Sequence, residues 1–174
     1  SHHQHERDDG PFVDGAPGQP FVVLFHGLEG SSDSHYARSL MALLKAKGWS
    51  GAVPHFRGCS GELNQAPRFY HSGDAEEISW VIKKLQSNFR QKNPGSKFFA
   101  CGVSLGGNAL LRWLGESQQQ AHIVDAACAI SAPLDLAAGG AALSSGFNMI
   151  YTRNFLQTLK PKCLKKLEQF PCLF

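Results

Sequence analysis

The sequence predicts an α/β domain built on a parallel sheet, and three observations carry that prediction. Phe21-Val22-Val23-Leu24-Phe25 is an unbroken apolar run, which suits a strand buried on both faces rather than one with a wet side. Apolar runs of strand length then alternate with segments of helical periodicity, giving βαβ units with right-handed crossovers. Finally, Gly102-Val103-Ser104-Leu105-Gly106 sits between a strand and a helix, at the kind of turn that lifts a side chain above a sheet.

The elements follow in order. Residues 1–20 are polar and rich in Gly and Pro, with a short leading strand expected around Phe12-Val13. After the Phe21–Phe25 strand, Gly27 to Ser32 reads as a loop. Asp33 or Ser34 then caps a helix whose apolar face carries Tyr36, Leu40, Leu43 and Leu44, and Gly48 ends it. Ala52-Val53-Pro54-His55-Phe56 predicts a weaker strand, because proline donates nothing to a ladder. Residues 57–73 form a long loop, of a length usually reserved for function. Asp74 caps the next helix, with Glu77 placed as in a capping box and Ile78, Val81, Ile82, Leu85 and Phe89 as its apolar stripe. A strand over 97–101, a helix over 108–114 and a strand over 124–130 complete the alternation. From Ala137 onward the chain turns helical and irregular, with Gly139-Gly140 and Pro161 as breaks. The segments are thus 1–20, a core over 21–136, and 137–174.

Composition excludes some partners. With 174 residues the chain can bury a sizeable core, and 43% hydrophobic with 18% charged residues is ordinary for a globular protein. Seventeen Lys plus Arg against 14 Asp plus Glu leave +3, too little bias to imply a nucleic-acid partner. Lys160, Lys162, Lys165 and Lys166 read as a solvated helix face rather than a membrane contact. Cys59, Cys101, Cys128, Cys163 and Cys172 are odd in number and form no CxxC pair. They fit reduced thiols in a cytoplasmic protein, with Cys101 and Cys128 expected as small buried hydrophobes. No apolar run approaches the ~20 residues of a membrane span, and the start of the chain lacks the apolar stretch of a signal peptide. His2, His3 and His5 are expected in a disordered segment, with no metal site.

The candidate chemistry centres on Ser104. Gly102 and Gly106 leave room for a tight strand-to-helix crossing, and the helix that follows aims backbone N–H groups and its positive dipole end at the same place. Ser104 is therefore the candidate nucleophile, and Leu105 N–H one candidate donor to a tetrahedral oxyanion. The second donor is expected from His26-Gly27-Leu28-Glu29-Gly30 at the end of the Phe21–Phe25 strand, with Leu28 N–H as the choice. A catalytic base is harder to find. His122 is the only histidine after Ser104, and the intervening helix carries the chain about 18 Å toward the opposite edge of the sheet. Asp125 fails for the same reason. Asp135 follows the next strand at the correct edge, but no histidine follows it.

His26-Gly27-Leu28-Glu29-Gly30-Ser31, His55-Phe56-Arg57-Gly58-Cys59-Ser60-Gly61-Glu62, Tyr70-His71-Ser72-Gly73-Asp74 and Gly102 to Asn108 together resemble the YheT-like branch of the α/β-hydrolase superfamily, alongside the abhydrolase-domain esterases and lipases. Ser131-Ala132-Pro133 and Gly146-Phe147 also fit. The resemblance runs from about residue 10 to the end of the chain. It implies an α/β-hydrolase fold with a mostly parallel sheet, truncated before its C-terminal strands, and it makes residues 137–174 the start of a lid or cap. It implies hydrolysis of carboxylic esters, short acyl esters or acylglycerols, with Ser104 as nucleophile and no cofactor or metal. The family's acid and histidine lie in C-terminal segments that these residues do not include. Its triad order of Ser, acid, His also gives His26 a structural role. Arg57 and Asp74 are expected to brace the long loop as an ion pair, in preference to the alternative that this loop lines the acyl pocket. A non-catalytic scaffold or binding module on the same fold is the alternative from another class, and a thioesterase or peptidase is a third. The expected partner is a small ester or lipid; the residues support no membrane attachment and leave the oligomeric state open.

Overall fold

The computed structural model describes residues 12–28, 30, 32–55, 75–144 and 148–169. In chain order the elements are β1 (Phe12–Val13), β2 (Phe21–Phe25), α1 (His35–Lys47), β3 (Ser50–Ala52), α2 (Ala75–Lys92), β4 (Phe98–Val103) and α3 (Leu105–Ser117). A 3-10 helix (Gln118–Ile123), β5 (Ala126–Ile130), α4 (Leu136–Leu143) and α5 (Asn148–Gln169) follow.

The strands form one sheet in the order β1-β3-β2-β4-β5. β3, β2, β4 and β5 are mutually parallel, and only the short β1 runs antiparallel, along β3. All five residues of β2 are buried, as a central strand covered on both faces requires. Phe21, Val23 and Phe25 face the main core with Ile78, Ile82 and Phe89 of α2, Phe98 and Ala100 of β4, and Ala109, Leu110 and Trp113 of α3. Leu24 turns to the other face and joins Ala37 and Val53, against which Leu40, Met41, Cys101 and Val103 pack. Phe21 stacks on Phe98 with ring centroids 5.0 Å apart, pinning the start of the β2–β4 ladder.

Several boundaries differ from the sequence-based expectation, each for a physical reason. β3 begins at Ser50 and ends at Ala52 rather than running from Ala52 to Phe56. Ser50 N–H donates to Pro20 O at 2.9 Å, so pairing starts directly after Trp49, and Pro54 cannot extend the ladder. On α1 the buried positions are Ala37 and Leu44, whereas Leu43 is exposed. Ser34 occupies the N-cap without a side-chain bond to the first turn, and Gly48 closes the helix in the left-handed conformation (φ 68°), as expected. α2 buries Ile78, Ile82 and Phe89 as its periodicity predicts; its expected cap, Asp74, and the Arg57–Asp74 pair lie outside the described residues. α3 starts at Leu105 rather than Asn108, because Gly106 and Gly107 belong to the helix and are selected for close approach rather than helix propensity.

Neither expected break in the C-terminal region interrupts a helix. α4 runs through Gly139-Gly140, started by Asp135, whose side chain accepts from Ala138 N–H at 2.9 Å. α5 runs through Pro161. The missing proline N–H costs one ladder bond, and Met149, Ile150, Leu156 and Leu164 on this helix stay exposed, so packing does not hold it to a stricter geometry. Cys101 and Cys128 are not the buried hydrophobes expected. Cys101 is half-buried and Cys128 exposed, because α1 covers the β3 side of their sheet face and no described helix covers the β4–β5 side.

Candidate active site

β4 delivers Ser104 to the carboxyl edge of the sheet, one residue past Val103, which pairs with Ile130 at the end of β5. Ser104 is the N-cap of α3 and holds φ 50°, ψ −116°, a conformation that a residue with a side chain rarely adopts. The surrounding contacts enforce it. Ser104 N–H donates to Ile130 O at 2.9 Å, and its carbonyl accepts from Asn108 N–H at 3.0 Å. A Cβ added at Gly106 would collide with the carbonyl oxygen of Phe25 and come within 2.5 Å of that of His26. One at Gly102 would lie 2.6 Å from Gly106 O. The helix therefore crosses β2 and β4 at a distance only glycine permits.

The loop after β2 closes on the same point. A Cβ added at Gly27 would lie 3.3 Å from Ser104 Cβ, so this backbone passes beside the serine side chain. Gly27 N–H is engaged, donating to the Tyr36 hydroxyl at 2.9 Å. Leu28, the next residue, is partly buried against the main core. Neither its N–H nor that of Leu105, in the first turn of α3, donates to another described residue. An amide at a helix N-terminus beside a serine hydroxyl can stabilise negative charge on a nearby oxygen.

The histidines and acids fall where topology puts them. His26 is fully buried, and its Nδ1 lies 2.9 Å from Gly27 O, a contact that ties the ring to its own loop. His122 lies in the 3-10 helix that leads into β5, at the amino edge, a strand length from Ser104. Asp125 is at the same amino edge. Its carboxylate accepts from Phe98 N–H at 2.8 Å and Lys97 Nζ at 2.9 Å, with Arg90 at 3.2 Å. The Phe98 amide first, then Lys97, hold its pKa below the ordinary 3.8. Asp135 is at the carboxyl edge, where its side chain caps α4.

Other residues that shape the site are brought to it by the fold. Tyr36, expected only as part of a helical stripe, anchors the loop through its hydroxyl. His55 Nε2 lies 3.1 Å from both the amide nitrogen and the hydroxyl of Ser32, and so braces the far end of that loop. The Asn108 side chain donates to Pro133 O at 2.8 Å, joining the first turn of α3 to the turn after β5, where Ser131 also has φ 50°. These pairs are 9 to 25 residues apart in the chain, which only the fold closes. Among the described residues no three His, Cys, Asp or Glu side chains gather as metal ligands, and no helix is long and apolar enough to cross a membrane.

Comparison with known proteins agrees with this architecture. YheT of Escherichia coli (strain K12), a proposed esterase, is 42% identical over 174 residues, a match covering 95% of this chain and 50% of that protein. A monoacylglycerol lipase of Saccharomyces cerevisiae is 29% identical over 129 residues, 74% of this chain and 28% of the lipase. The chain thus spans about half the length, or less, of these relatives. Among solved structures, the α/β hydrolase GrgF from Penicillium superposes with a TM-score of 0.55 at 18% identity, over 71% of this chain and 41% of that one. The family model for the α/β hydrolase fold matches residues 20–162, and this chain belongs to that family.

Proposed function

We propose that this chain supplies the nucleophile and oxyanion hole of a serine hydrolase that cleaves carboxylic esters, short acyl esters or acylglycerols. The observation that carries the reading is the conformation of Ser104: a non-glycine residue at φ 50° on a strand-to-helix turn, with a second loop passing beside its side chain. Strain of this kind persists only where the surroundings over-determine it, and it clusters at reactive residues. The names of the relatives, an esterase and a monoacylglycerol lipase, support the substrate class.

In this reading a base removes the Ser104 hydroxyl proton as Oγ attacks the ester carbonyl. The N–H groups of Leu28 and Leu105 stabilise the tetrahedral oxyanion. The alcohol leaves with a proton, and water then releases the acid from the acyl-enzyme. No described histidine after Ser104 lies at its edge of the sheet, so the base comes from sequence outside these residues, in keeping with the relatives' greater length. Asp135 shares the edge but caps α4, and the reading takes the acid from outside these residues too. The test uses the complete protein. A fluorophosphonate should label Ser104, and a p-nitrophenyl ester of a short acid or a monoacylglycerol should be hydrolysed. Ser104→Ala should lower turnover by about 10⁴ to 10⁶. An unlabelled Ser104 in a folded complete protein would favour a non-catalytic scaffold, and full turnover in the alanine variant would place the nucleophile elsewhere.

A further inference from the structure

The face of the sheet turned away from α2 and α3 carries two thiols side by side. Cys101 of β4 and Cys128 of β5 are direct register partners in a parallel pair, so both side chains leave the sheet on the same side. Adjacent strands lie about 4.8 Å apart, inside the ~4.4–6.8 Å span of Cα separations that a disulfide bridges. The two side chains are cross-strand neighbours, Cys128 exposed and Cys101 half-buried. Neither takes part in the chemistry proposed for Ser104.

We propose that Cys101 and Cys128 are a vicinal dithiol, oxidised to an intramolecular disulfide by exchange with a low-molecular-weight disulfide of the glutathione class. The exposed Cys128 attacks first. Its thiolate forms a bond to one sulfur of the small disulfide, the S–S bond of that molecule breaks, and one small thiol departs. Cys101 then gives its proton to solvent and attacks Cys128 Sγ, expelling the second small thiol. Two protein thiols are oxidised and one small disulfide is reduced to two thiols.

The order follows from the environment of Cys101. Burial first, then the charge of a Cys128 thiolate and the hydrogen bond to it, push the Cys101 thiol up to about 11. Once Cys128 is tied up as a mixed disulfide, that charge is gone and the Cys101 proton leaves more readily. The link would form three residues before Ser104 on β4 and three before Ser131 on β5. Both serines have φ 50°, and the Ser104 N–H to Ile130 O bond joins the same two strands just beyond it.

The experiment needs no enzymatic activity and stands independently of the esterase reading. The reduced complete protein is equilibrated in a glutathione redox buffer, trapped with a maleimide, digested with trypsin and mapped by mass spectrometry. The expected product joins peptide 98–112, which holds Cys101, to peptide 113–153, which holds Cys128. In Cys101→Ser, Cys128 should accumulate as the glutathione adduct; in Cys128→Ser, Cys101 should stay reduced. A wild-type chain that stops at a Cys128 adduct, or whose peptides never cross-link, overturns the proposal without reference to either variant. Equal oxidation of Cys101 in Cys128→Ser would overturn the order of attack.

Discussion

At Ser104 backbone strain and proposed chemistry meet in one residue, which makes them separable by substitution. A non-glycine residue at φ 50°, ψ −116° costs about 1–3 kcal/mol, while glycine there loses about 0.5–1 kcal/mol more chain entropy on folding. Ser104→Gly should therefore melt above Ser104→Ala by roughly 1 kcal/mol, although both lack the hydroxyl. Equal melting of the two would mean that the elbow is unstrained. Gly106 gives the opposite sign. A methyl there meets two backbone carbonyls that cannot rotate away, so Gly106→Ala should destabilise by at least about 2–3 kcal/mol in a denaturant titration. The G-x-S-x-G spacing made this site legible from the chain alone, because the crossing demands small residues on either side of the serine. Tyr36, His55 and Asn108 were not legible as its supports. Each acts through one hydrogen bond to a distant backbone group, and nothing in a tyrosine or a histidine foretells that bond.

At the level of elements, hydrophobic pattern decided what was readable. β2 and α2 were plain because their apolar stripes face the core: the strand is buried throughout, and the helix along Ile78, Ile82 and Phe89. β3 was misplaced because three small residues, Ser50-Gly51-Ala52, carry no strand signal, and the adjacent Val53 is buried without belonging to the ladder. Asp125 shows an element end held by charge. Its carboxylate joins the start of β4, through Phe98 N–H and Lys97, to the start of β5. Because its folded pKa is depressed below 3.8, its contribution is present above the ordinary carboxylate range and is lost as pH falls through the lower folded value. The carboxylate is partly exposed, so the effect is modest: Asp125→Asn should cost about 1 kcal/mol at neutral pH. The gap to wild type should close in acid. A gap that stays constant across the acid range would mean that packing, not charge, is what the substitution removes.

At the scale of the whole fold, one side is open. Among the described residues β5 is the outermost strand of the sheet, its residues Ala126, Ala127, Cys128 and Ile130 are exposed, and its outer edge pairs with no described strand. Such an edge invites pairing with another chain. Residues 1–174 alone should unfold with low cooperativity and associate at high concentration, and Ala126→Lys on the exposed strand should raise the soluble fraction in a sedimentation assay. A sharp monomeric transition in the unmodified chain would show the edge to be harmless. The same residues should hydrolyse esters at a small fraction of the complete protein's rate, since no described base reaches Ser104. The parallel order of β3, β2, β4 and β5 was legible in the alternation of elements. The uncovered thiol face beside β5 was not legible, because burial depends on which helix crosses which strand.

The central ladder also dictates a timetable. β2 pairs with β4 along its full length, and the partners Phe21 and Phe98 are 98 − 21 = 77 residues apart. By contrast β2 and β3 meet through α1 alone, with Phe21 opposite Ser50. Closing the longer loop loses more chain entropy before any contact compensates, so α1, β2 and β3 can assemble while β4 is still searching. The Ser104 turn lies at the far end of that last ladder, after Gly102 has found Phe25. A refolding chain should therefore become compact before its serine is poised. In pulse-labelling by hydrogen exchange, protection of the Val22–Phe25 amides bonded to β4 should appear later than protection within α1.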